Sequence, residues 1–142
     1  MYPYLPDDRE ILYVPAENPF MQAAKLVAQT ESLDPDHPTG AVIVKDDQII
    51  GTGANGSTWH DTNGCERKRL KIPTGEGYEL CEGCHPKHHA EQTAIANCKN
   101  PKESNIYLWG HWWCCQSCWD TMIAADIKNV YLPAGATEMF RK

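Results

Sequence analysis

The stretch "HHAEQTAIANC", residues 88–98, sets two histidines and a glutamate at the head of an alanine-rich run. The run predicts a helix from His89 to about Cys98, with its polar residues in the first turn. An acidic side chain near a helix N-terminus is favourable in any solvated helix, so this pattern alone reads equally as a surface feature. The sharper reading is a metal site with an acid beside it. Further along, "CCQSCWDTMIAADI" (114–127) places Cys115 and Cys118 at the start of a second predicted helix. One imidazole and two thiolates make a three-ligand zinc site whose fourth tetrahedral position is left for water. Helix N-termini favour the thiolate form, and zinc so held acidifies the water. Glu91 follows His89 by two residues, a rotation of about 200° on a helix of about 3.6 residues per turn. The two side chains are therefore badly placed to grip one ion. Glu91 reads as a proton carrier beside the metal.

Working outward, "NIYLW" (105–109) and "KNVYLP" (128–133) read as strands on either side of the second helix. "GAVIVKDDQIIGTGA" (40–54) reads as a hairpin turning at Asp46 and Asp47. "PFMQAAKLVAQTES" (19–32) spaces Phe20, Ala23, Ala24, Val27 and Ala28 along one helical face, with Pro19 suited to the first turn. Residues 1–18 form a proline-containing arm in which Ile11–Val14 can add an edge strand. Residues 56–88 lack periodicity and are rich in Gly, charge, Cys and His; a loop of this length is usually functional or held by something. The order predicts an α/β layered domain with parallel pairing in its second half. The 142 residues suit one domain, residues 1–142.

The formal charge of −6 argues against polymeric nucleic acid as a partner, because phosphate-backbone binding needs basic surface. A small anionic ligand requires only a local cluster of donors. No apolar run approaches a membrane span, and "MYPYLPDDREIL" lacks the zones of a secretory signal, so the expected location is cytoplasmic, with no membrane partner. Seven cysteines are an odd count. In a reducing compartment, the two-residue gaps of "CEGC" and "CQSC" favour metal over disulfides.

The pairing of "HAE" with "CQSC" resembles the zinc-dependent cytidine and deoxycytidylate deaminase superfamily, most of all the deoxycytidylate (dCMP) deaminases, whose signature is H-x-E followed by P-C-x-x-C. The similarity runs from about Pro19 to Pro133 and takes in "TGAVIV" and "GTGANG". It implies a three-layer α/β/α cytidine-deaminase-like fold around a central mixed sheet, from which this chain is expected to depart in a shortened C-terminus, with Ile11–Val14 at the vacant edge. It also implies that His89, Cys115 and Cys118 bind the catalytic zinc and that Glu91 shuttles protons. Asn55 would contact substrate, and Ala90 would contribute its backbone amide. One departure is Cys114, where the family has proline; it is expected not to bind zinc. The resemblance further suggests a homo-oligomer of at least two subunits.

In the insertion at 56–88, Cys65, Cys81 and Cys84 have His60, His85 and His88 nearby. Three thiolates and one imidazole close a structural zinc site, and His88, four residues after Cys84, suits the fourth position better than His85. Free thiols in a reduced loop are the other reading; the resemblance favours a second zinc. "ERKRLK" (66–71) contributes Arg67, Arg69 and Lys71, either a solvated face or a holder for a monophosphate. Trp113 and Trp112 beside the zinc cysteines read as base-stacking aromatics, as core or as subunit contacts. Trp109 reads as core, and His111 as a substrate contact or a structural histidine. The function expected is hydrolytic deamination of a small-molecule nucleotide, dCMP to dUMP. The alternatives are a cytidine, cytosine or other nucleobase deaminase and, outside enzymology, a zinc-stabilised binding module.

Overall fold

The computed structural model describes residues 4–57, 63–73, 78–80 and 85–141. The predicted hairpin forms as β2 (Gly40–Lys45) and β3 (Gln48–Ala54). Asp46 and Asp47 both adopt left-handed backbone, with φ of 52° and 63°, the conformation of a primed two-residue turn that matches strand twist. Beside β2 lies β4 (Asn105–Trp109), followed by β5 (Asn129–Pro133) and β1 (Ile11–Val14), in the order β1-β5-β4-β2-β3. β1, β5 and β4 run parallel, while β2 is antiparallel to both of its neighbours. The sheet is therefore mixed, and Ile11–Val14 does take the edge position.

Alternation along β2 and β4 accounts for the layers. Ala41, Ile43, Ile106 and Leu108 point to one side, where they pack with α3 (Ala90–Ala96) and α4 (Gln116–Ala124). Val42, Val44 and Tyr107 point to the other, against Met21, Ala24 and Val27 of α1 (Pro19–Glu31). Strands buried on both faces need apolar residues at consecutive positions rather than alternate ones, which is why "AVIV" is unbroken. The result is the three-layer α/β/α arrangement.

Each helix is bounded by local chemistry. The Asn18 side chain caps α1, accepting from the amides of Phe20 at 2.9 Å and Met21 at 3.2 Å, with Pro19 in the first turn. α4 stops at Ala124, short of the predicted Ile127, because Asp126 turns left-handed with φ 59°. The amide of Ile127 then reaches back to the Met122 carbonyl and that of Asp126 to Ile123, a Schellman ending whose two apolar partners are buried. α3 likewise ends at Ala96, before the predicted Cys98. The described residues also include two shorter helices, α2 (Glu66–Arg69) in the insertion and α5 (Ala136–Phe140) after β5. The C-terminal end of β3, the start of β2 and the C-terminal end of β4 lie at one end of the sheet, where open α/β sheets hold their ligands.

Candidate active site

His89 and Cys115 are the N-cap residues of α3 and α4, and Cys118 is the third residue of α4. Both helices lie on the same sheet face, so their N-termini converge. The His89 Nδ1 lies 3.4 Å from the Cys118 Sγ and 3.5 Å from the Cys115 Sγ. Zinc bonds of about 2.0–2.1 Å to nitrogen and about 2.3 Å to sulfur, at tetrahedral angles, put the two ligands about 3.5 Å apart. The donor set and its spacing thus fit zinc with one position left over. Among the described residues, this is the group of metal-ligating side chains that comes together. The two sulfurs influence each other's titration: with Cys118 and His89 beside it, Cys115 is pulled down to about 5, while Cys118 is raised. An anionic sulfur beside an imidazole suits a divalent cation.

Glu91, one residue into the helix from Ala90, is only 5% exposed. Burial raises its carboxyl above the ordinary carboxylate range, against an opposing pull from His89. It lines the same cleft as His89 and Cys115. The position of this turn is set from behind by Gly53 on β3. A Cβ there would lie 2.2 Å from the Ala94 nitrogen and 2.8 Å from the Ala90 carbonyl, so only glycine lets α3 sit this close. Cys114 is fully buried in the core with its thiol pushed up by desolvation. It stands outside the three-residue group.

The cleft holds about 540 Å³. Its walls bring together much of what the sequence singled out: Asn55, Cys65, Arg67, His88, Ala90 and Trp113. Trp113 is 4% exposed, so it is both core and wall. The Asn55 side chain is engaged with its own neighbourhood. Its Oδ1 accepts from the Thr39 amide at 2.9 Å and from the Ser32 hydroxyl, and its Nδ2 donates to the His37 carbonyl at 2.8 Å. In this arrangement it ties the 32–39 loop to the end of β3. Arg67 lies over the Tyr78 ring at 4.3 Å and donates to the Pro73 carbonyl at 2.8 Å. Arg69 and Lys71 do not join the wall; Arg69 pairs instead with Glu66 on the exposed side of α2. Trp109 packs with the α1 core, as expected, with Phe140 edge-on at 5.2 Å. Cys81, Cys84 and His60 lie outside the described residues.

Three wall residues were not named as candidates from the sequence, although Lys68 lies within the basic run "ERKRLK". Tyr78 sets its ring edge-on to His89 at 5.0 Å. Lys68 reaches Asp36 at 3.6 Å, and Arg141 lies over Trp112 at 4.9 Å. All three line the cleft. None has a spacing relation to the His and Cys motifs, and only folding brings Arg141 there from beyond β5. His111 also lines the cleft; burial, with His89 and His37 nearby, lowers it to about 4, so it is neutral at pH 7.

Among the described residues, no helix is long and apolar enough to cross a membrane. No curated protein matches the chain. Among solved structures, the apo dCMP deaminase of cyanophage S-TIM5 is 21% identical over 86% of each chain, with a TM-score of 0.53. The same enzyme in complex with dCMP and dUMP is 22% identical over 86% of this chain and 87% of its own, with a TM-score of 0.52. Guanine deaminase from Bacillus subtilis is 22% identical over 84% of this chain and 66% of its own, with a TM-score of 0.50. At these identities the likeness is one of fold. The family model for the cytidine and deoxycytidylate deaminase zinc-binding region matches residues 15–134, with the convergent His89, Cys115 and Cys118 inside that span, and the chain belongs to this family.

Proposed function

We propose that the protein hydrolytically deaminates a cytosine nucleotide, dCMP to dUMP, at the cleft beneath the N-termini of α3 and α4. The observation that carries this reading is the buried Glu91 carboxyl in the same cleft as His89 and Cys115. A purely structural metal site has no use for an acid withdrawn from water beside it. Bound zinc, held by His89, Cys115 and Cys118, supplies the acidity that makes water a nucleophile near neutral pH. Glu91 takes a proton from the attacking water and delivers it to ring N3 as the C4–O bond forms. It then passes the second proton to the departing amine, so that dCMP and water give dUMP and ammonia. A carboxyl raised by burial is suited to both tasks. Ala90 offers its backbone amide at the same wall.

The phosphate is assigned to Arg67, with Lys68 close by, since a guanidinium in the cleft can form charge-assisted bonds to it. Asn55 shapes the sugar-side wall through the 32–39 loop, and Trp113 forms the apolar wall for the base. A second, structural zinc held by Cys65, Cys81, Cys84 and His88 in the 56–88 insertion belongs to the same reading, as do cytoplasmic location and a homo-oligomer. The test is ammonia release by the purified zinc-loaded protein from dCMP, CMP, deoxycytidine, cytosine, adenine and guanine compounds. Preference for dCMP is expected. Turnover of none of these overturns the enzyme reading, and preference for an unphosphorylated base overturns the nucleotide reading.

A further inference from the structure

His111 is a polar wall residue that the proposed chemistry leaves unused. β4 ends at Trp109, and Gly110 turns with φ of 107°, so close to the 32–39 loop that a Cβ would lie 2.2 Å from the Pro38 carbonyl oxygen. This turn folds the His111 ring back over the next two residues. Its Nδ1 accepts from the Trp112 amide at 3.0 Å and from the Trp113 amide at 3.3 Å. A nitrogen that receives two N–H groups carries no proton, so the proton of the neutral ring is on Nε2. Flipping the ring would aim C–H bonds at those amides. The neighbouring indoles also confine it, Trp113 edge-on at 5.4 Å and Trp112 at 6.3 Å. Among the described residues, no acceptor takes the Nε2–H. The ring thus offers one fixed, uncharged donor in the wall that also holds Ala90, Glu91 and Cys115.

Building on the deaminase reading above, we propose that the Nε2–H of His111 is a specificity-determining donor to the 2-oxo group of the cytosine ring. An uncharged donor matches an uncharged carbonyl without the desolvation that an ion would demand. The 2-oxo group is conjugated with N3, so a donor fixed there orients the ring edge that Glu91 protonates. It also discriminates between bases. Adenine presents a C–H where cytosine presents this oxygen, and a buried donor left without an acceptor penalises the wrong ligand.

The test separates this role from mere support of the 110–113 turn. An asparagine amide reaches the position of Nδ1, and so keeps an acceptor for the Trp112 and Trp113 amides while losing the donor to the cleft. A glutamine amide reaches the position of Nε2 and keeps the donor. Binding of dUMP, which has the same 2-oxo group, is measured by calorimetry on the zinc-loaded full chain. Zinc content and melting temperature are recorded for each variant. His111→Asn should weaken dUMP about tenfold, the worth of one neutral hydrogen bond, while His111→Gln stays within about threefold of wild type. The proposal is overturned if His111→Asn binds as wild type does, if His111→Gln loses as much as His111→Asn, or if wild type does not bind dUMP. Turnover of dCMP by wild type is a separate measurement: binding without turnover sinks the deaminase reading and leaves the His111 comparison standing.

Discussion

Glu91 and His111 are both polar side chains that burial holds uncharged more readily than water would, and each shift has a consequence that can be measured. For Glu91, desolvation raises the carboxyl. Glu91→Gln keeps the size of the side chain and leaves His89, Cys115 and Cys118 untouched, so zinc content should be unchanged. Turnover should fall by about 10²–10⁴, because an amide cannot accept the proton. Loss of zinc in this variant, or near-normal turnover, would remove Glu91 from its role. For His111, the folded value is about 4 against an ordinary 6.5. The unfolded chain therefore takes up the proton first as pH falls. Stability associated with neutral His111 is full above about pH 6.5 and is lost as pH drops toward about 4, by up to about 3 kcal/mol. Urea titrations of wild type and His111→Asn at about pH 7.5 and about pH 5 should show the wild type losing more on acidification. Equal losses would mean that the ring is not held neutral.

At the scale of elements, the close approach of α3 to the sheet depends on the glycines of β3. The approach at Gly53 is backbone to backbone, 2.2 Å from a would-be Cβ to the Ala94 nitrogen, so no rotamer change can relieve a methyl group there. Gly53→Ala should push α3 away from the sheet and destabilise the fold by about 1–3 kcal/mol. His89 and Glu91 move with their helix, so zinc affinity and turnover should fall as well. Equilibrium unfolding and a competitive zinc titration read the two effects. A fully stable Gly53→Ala protein would mean that β3 shifts to accommodate it. "GTG" thus reads locally as a hairpin strand, yet its chemical consequence is the placement of another element's first turn.

At the scale of the molecule, the cleft is assembled from segments far apart in the chain: the 32–39 loop, the end of β3, α2, the first turns of α3 and α4, and the residues after α5. The tertiary structure divides the basic run "ERKRLK". Arg67 lies in the wall over Tyr78, while Arg69 is tied to Glu66 outside it. Arg67→Ala should therefore weaken dCMP by about 1.5–3 kcal/mol relative to deoxycytidine. Arg69→Ala, the surface control, should change neither, because an exposed ion pair is worth little. Steady-state kinetics with both substrates decides it. Equal effects of the two substitutions would mean that the phosphate is held elsewhere.

What the sequence determined by itself is what local pattern can encode. Unbroken apolar runs marked strands buried on both faces, the prolines and small residues placed α1, and His89, Glu91, Cys115 and Cys118 stood out because each sits at a helix start. Even the edge strand Ile11–Val14 was legible, as an apolar run within the proline-containing arm. Helix ends were less so. α4 closes at Asp126, and nothing in that residue's type demands a left-handed turn until Ile127 has a core to enter. Tertiary structure alone decided which polar residues face the cleft. Arg67 and Arg69 share a charge and a four-residue helix, and only packing distinguishes them. Asn55 became a tie for the 32–39 loop because that loop lies within reach, and Tyr78 and Arg141 entered the wall by folding. His111 acquired a fixed tautomer because Gly110, free of a Cβ, turns tightly against Pro38. Periodicity records which residues are buried; the direction of a polar side chain depends on neighbours that the chain brings near only when the sheet has formed.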